Sequence, residues 1–76
     1  MANDVSGKIA AEVRAEMARQ SKTSRELAEA IGVRNRQSMS MRLRGEKPFT
    51  VEELMRLAEF LAVPIEQFLP ASASAA

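Results

Sequence analysis

Apolar residues recur at helical spacing along almost the whole chain. Ile9, Val13 and Met17 fall at i, i+4 and i+8, with Lys8, Glu12, Arg14, Glu16 and Arg19 mostly on the other side. A first helix is therefore predicted from about Asp4 or Ser6 to Arg19. Leu27 and Ile31 repeat the spacing in a second helix. Thr23 and Glu26 open it near Ser24 as a capping box, each side chain serving the other residue's backbone amide, and Gly32 closes it by supplying the positive φ of a tight turn. Met39 and Leu43 form the apolar pair of a third helix, capped by Asn35 and ended by Gly45. A second capping box, Thr50 with Glu53, opens a fourth helix in which Val51, Leu54, Leu57, Ala58 and Leu61 turn inward. Pro64 at the first position starts a short fifth helix with Ile65, Phe68 and Leu69 as its apolar residues, and Pro70 stops it. No strand pattern competes. The tail, residues 71–76, has nothing to bury and is expected to be disordered. The pattern predicts one compact all-α domain of five helices over residues 1–70.

Composition narrows the function more than the fold. A chain of 76 residues supports a core giving roughly 3–5 kcal/mol of net stability, too small for a large catalytic cavity. Without cysteine there is no disulfide framework or thiolate metal site, and without histidine the commonest metal ligand and general base is missing. Lys8, Lys22 and Lys47 sit among polar neighbours, so a Ser–Lys nucleophile is not expected. Gly7, Gly32 and Gly45 do not form a phosphate loop, and Glu52 with Glu53 complements a helix dipole rather than a metal. The expectation is a non-enzyme with no cofactor, no metal and no small-molecule ligand. No apolar run approaches membrane length and the start, MANDVSG, lacks the charged and apolar regions of a signal peptide. A cytoplasmic protein with no membrane partner is expected.

The net charge of +1 says little, but its distribution is uneven. Residues 22–47 hold seven basic side chains against three acidic ones, leaving four basic and seven acidic residues elsewhere. One face of the molecule should attract polyanions while the remainder limits indiscriminate adhesion.

The second and third helices carry a family likeness. Leu27, Ala28, Ile31, Gly32 and Val33 resemble the helix-turn-helix of lambda-repressor-like (Cro/cI-type) DNA-binding proteins, in which a small residue and a glycine let two helices cross closely. Gly45 to Thr50, with Glu53, Leu54, Leu57, Ala58 and Leu61, resembles the loop and fourth helix of that family, and Pro64 to Leu69 its fifth. Roughly residues 8–70 are covered. One departure stands out: the family spacing would put an apolar residue at Ser38, whereas this chain has Met39. Taking Met39 and Leu43 as the core pair places one extra residue in the turn Val33-Arg34-Asn35.

The resemblance implies a sequence-specific binder of double-stranded operator DNA, in the first place a small bacterial or phage transcriptional repressor located at the nucleoid. Its recognition helix spans about residues 35–44. With Met39 inward, Gln37 and Met41 point away from the core, Ser40 lies beside them and Arg36 is on the first turn. Arg36, Gln37, Ser40 and Met41 are the expected base readers: arginine matches guanine O6 and N7, glutamine matches adenine N6 and N7, and a thioether suits a thymine methyl. Core packing is the alternative for Met41, and phosphate contact for Arg36 and Gln37. Thr23, Ser24 and Arg25 at the second helix's start, with Arg34, Arg42, Arg44 and Lys47, are the expected phosphate contacts. For Arg42 an ion pair with a glutamate of the fourth helix is equally open. Arg14 and Arg56 are expected in exposed ion pairs of little value.

One short helix reads only a few base pairs, so a homodimer on DNA is expected, with Phe60, Phe68 and Leu69 as interface residues and core packing as their alternative. Two other readings share the fold: an antitoxin-type DNA-binding protein, and a protein-interaction module without DNA activity.

Overall fold

The computed structural model describes residues 3–70, and side chains from residue 5. Four α-helices and one 3₁₀ turn follow in order: α1 (Asn3–Arg19), α2 (Ser24–Ile31), α3 (Arg36–Leu43), α4 (Val51–Leu61), then the 3₁₀ turn Ile65–Phe68. No strand occurs among the described residues. The tail expected to be disordered, residues 71–76, lies outside them.

Each helix buries the stripe its spacing gives it. Ala10 and Val13 of α1 are fully buried, flanked by Ile9 and Met17; Leu27 and Ile31 of α2, Met39 and Leu43 of α3, and Leu54, Leu57, Ala58 and Leu61 of α4 complete the core with Phe68. Two inward assignments fail. Val51 is 71% exposed, because it is the first residue of α4 and lies about 70° from the centre of the buried stripe, beyond the neighbouring helices' reach. Glu16, expected outside, is 7% exposed. Its carboxylate accepts hydrogen bonds from Arg19 Nη1 (2.6 Å), Gln20 Nε2 (2.8 Å) and Gln67 Nε2 (2.5 Å), while Gln20 also donates to the Leu61 carbonyl (2.7 Å). Those donors, Gln20 and Arg19 first, hold Glu16 below the usual carboxylate range against the opposing effect of burial. A buried carboxylate with three donors joins α1, the end of α4 and the 3₁₀ turn.

The fifth helix is corrected to that single 3₁₀ turn. Pro64 is its cap, extended at ψ 144°, and Leu69, ahead of Pro70, is extended at ψ 138°, leaving four residues between the two extended ones. Proline disfavours helical geometry in the residue before it, so the segment is too short to build α-turns.

Helix ends follow the caps. Thr23–Glu26 and Thr50–Glu53 are both complete capping boxes, and Asn35 accepts from Ser38 N. Gly32 stops α2 at φ 79°. Alanine does the same for α4: Ala62 takes φ 58°, and Val63 N donates to the Ala58 carbonyl at 3.0 Å. Gly45, at φ 81°, presses so closely on α1 that a Cβ there would lie 2.9 Å from the Gly7 Cα.

Candidate nucleic-acid interface

The register of α3 decides what faces outward. Met39 is 2% exposed and Leu43 8%, whereas Ser38 is only half-buried, and Gly32 is followed by the non-helical trio Val33-Arg34-Asn35, its last residue extended, before α3 begins. Arg36 and Gln37 are exposed; Ser40 and Met41 are half-buried at the edge of the same surface. Of the expected readers and contacts, Ser24, Arg25, Arg34, Arg36 and Ser40 line one open groove between α2 and α3. Arg44, whose Nη1 lies 3.4 Å from the Ser40 hydroxyl, borders it, and Lys47 is exposed on the following loop.

The first turn of α2 shows which amides remain available. Thr23 N donates to Glu26 Oε1 (2.8 Å) and Glu26 N to the Thr23 hydroxyl (3.1 Å), so the capping box uses both ends and occupies that hydroxyl. The backbone hydrogen bond from Thr23, above all, holds the Glu26 carboxyl below its usual range. What α2 offers an anion is the pair of amides of Ser24 and Arg25 at the positive end of the helix dipole. The Arg25 side chain lies 3.7 Å from Glu29 with both groups well exposed, an ion pair weak enough to open.

The arginines differ in how much of their charge is available. Arg34 and Arg36 have no carboxylate within ion-pair distance among the described residues. Arg44 pairs with Glu46 at 3.0 Å, which raises the arginine and lowers the glutamate by the same hydrogen bond, yet both remain half-exposed.

Arg42 is corrected out of the phosphate set. It is 9% exposed, and its guanidinium donates from Nε and Nη2 to the two oxygens of Glu53 at 3.2 Å each, the alternative left open from the sequence. Burial alone would raise Glu53; the hydrogen bonds from the Thr50 amide and Arg42, with the charges of Arg42 and Lys47, outweigh it and leave the carboxyl lowered. Arg14 makes no ion pair among the described residues: Nη1 donates to the Leu43 carbonyl at 2.6 Å, closing the C-terminal end of α3. Arg56 does pair with Glu52, at 2.8 Å.

The expected dimer residues divide. Phe68 is fully buried and offers no surface; as the last residue of the 3₁₀ turn it completes the core. Phe60 is 39% exposed, with the Lys22 ammonium 5.2 Å from its ring centroid, and Leu69 is half-buried. Glu29, on the groove wall, was missed, although its i+4 spacing from Arg25 puts both on one face. Among the described residues no acidic cluster could hold a metal ion, and no helix is long and apolar enough to cross a membrane.

Two short helices joined at Gly32, the second presenting its outer surface and the first its N-terminus to a common groove, define a helix-turn-helix. No family model matches the chain, and no curated protein matches its sequence. Its structure is similar to that of the DNA-binding domain of BldD, with a TM-score of 0.74 at 27% identity over 92% of this chain and 100% of that one. It is also similar to the S. venezulae BldD DNA-binding domain, with a TM-score of 0.71 at 26% identity over 88% and 99% of the two chains. These neighbours are DNA-binding domains, not enzymes.

Proposed function

We propose that this protein binds double-stranded DNA sequence-specifically through α3 and acts as a small bacterial or phage transcriptional repressor of the Cro/cI type in the cytoplasm. One observation supports the reading above others: Arg34 and Arg36, which have no ion-pair partner among the described residues, line one groove with Ser24 and Arg25 of the first turn of α2, on a scaffold similar to DNA-binding domains. Arg36 and Gln37 enter the major groove as principal readers, with Ser40 and Met41 following. Ser24, Arg25, Arg34, Arg44 and Lys47 hold phosphates, with Thr23 contributing its position in the cap rather than its engaged hydroxyl.

Operator binding is by a homodimer, since two half-sites supply the specificity that a single helix of eight residues lacks. Phe60 and Leu69 are its interface candidates on the described surface. Neither cofactor nor small-molecule effector enters this function.

Gel retardation across a salt series tests the proposal. Four to six phosphate contacts per protomer give a log–log slope of about −4 to −5, and about twice that for a dimer. A slope near zero removes the DNA reading.

A further inference from the structure

The Arg42–Glu53 pair lies away from the groove, and its geometry bears on what α3 can discriminate. Helix α3 packs on α1 and α2, and only Met39, Arg42 and Leu43 of its eight residues are buried. Two apolar side chains give so short a helix little packing against rotation about its axis, and its other anchor, the Arg14 hydrogen bond to the Leu43 carbonyl, holds only its last turn. Arg42 opposes that rotation. One edge of its guanidinium meets both oxygens of Glu53, while Nη1 donates to the Ser38 carbonyl (3.2 Å) and makes a short contact with the Ser38 hydroxyl. Glu53 is itself fixed, because Oε1 accepts the Thr50 amide (3.0 Å) within the capping box of α4. The start of α4 is thereby linked to the middle of α3, between Arg36 and Gln37 on one side and Ser40 and Met41 on the other.

We infer that Arg42 and Glu53 are positioning residues that fix the rotation of α3 and so set its discrimination between DNA sequences. The inference rests on the DNA reading above. A buried ion pair is a poor source of net stability, since apolar replacements are often neutral or better, but a bidentate pair holds two helices in one mutual orientation. Reading demands that orientation: side chains must be held within about 0.5 Å and 10–20° to match base edges. Phosphate contacts, which tolerate more displacement, do not.

The test uses the double variant Arg42→Met/Glu53→Gln, which removes both charges, keeps an apolar stem and retains a residue able to complete the capping box. Arg42→Lys is the second variant; it keeps the charge without the fork. The best site is first selected from a random library with the wild type. Affinities for that site, for single-base changes within it and for unrelated DNA are then compared, alongside the salt slope and melting temperature.

Both variants should keep the melting transition, the salt slope and the affinity for unrelated DNA, while discrimination against single-base changes falls about tenfold, the scale of one base contact. Discrimination within about twofold of wild type in either folded variant overturns the inference, as does an equal loss on every sequence, which would return Arg42 to the phosphate set. A wild type that binds no DNA at any salt concentration refutes the DNA reading itself, and the inference with it.

Discussion

The two ends of α3 carry the same residue type to opposite effect. Arg34 and Arg36, before and at the start of α3, have no carboxylate within ion-pair reach among the described residues, whereas Arg42 and Arg44 at its end are held by Glu53 and Glu46 at 3.2 and 3.0 Å. Four arginines within eleven residues suggest a uniformly basic helix; among the described residues one end lacks carboxylate partners, and the other has one exposed and one largely buried ion pair. A residue's formal charge therefore says less about binding than the distance to the nearest opposite charge. An exposed pair such as Arg44–Glu46 costs little to open, so Arg44 remains available, but a buried one such as Arg42–Glu53 does not open cheaply.

The largest expected effect tests the register on which this contrast depends. Met39→Ala should cost about 2–5 kcal/mol in urea or thermal unfolding, by lost transfer energy and a residual cavity. Ser38→Ala loses only its contact with Arg42 and should cost about 1 kcal/mol or less. The opposite ranking would shift every base reader by one position and end the contrast as drawn.

Next in size is the binding contrast itself. Arg36→Ala and Gln37→Ala should each lose about 1–3 kcal/mol on the preferred site and little on unrelated DNA, measured by titrated gel retardation. Arg44→Ala should lose less than about 1 kcal/mol, equally on all sequences, because binding must first release Glu46. A sequence-dependent loss at Arg44 would move the reading surface toward the end of α3.

The smallest effect is set by acid. Glu16, Glu46 and Glu53 are each held below the ordinary value of 4.5. A carboxyl lowered by folding adds stability that is fully present above its unfolded value and is lost as pH falls through the folded one. The melting temperature should therefore be level from neutrality down to about pH 5 and decline below about 4.5, with Glu53→Gln flattening part of that decline. A decline beginning near pH 6.5 would point to groups other than these.

Helix boundaries were legible because capping is local. Thr23 with Glu26, Thr50 with Glu53, Asn35 and Gly32 each signal an end through residues within one turn, and each stands where expected. The core pair of α3 was legible as well, because Met39 and Leu43 stand at i, i+4 and both are buried. What escaped was set by distant partners. The burial of Glu16 depends on Gln67, and whether Arg42 faced phosphate or glutamate depended on where Glu53 would lie. Ala62 ends α4 in a left-handed conformation without the glycine that would have announced it. Val51 kept the right spacing but sits at a helix end, where periodicity outruns the neighbours that would cover it.

Gly32 and Gly45 bracket α3, and their surroundings make it an exchangeable cassette with one fixed edge and one adjustable edge. At Gly45 a Cβ would meet the α1 backbone at 2.9 Å, whereas at Gly32 the nearest atom is the tip of a flexible arginine, Arg56 Nη1, at 3.8 Å. Length changes should thus be absorbed before the helix more readily than after it. Transplanting a foreign reading helix should follow the same asymmetry. One glycine inserted after Arg34 should leave a cooperative melt by circular dichroism, whereas the same insertion after Arg44 should abolish it.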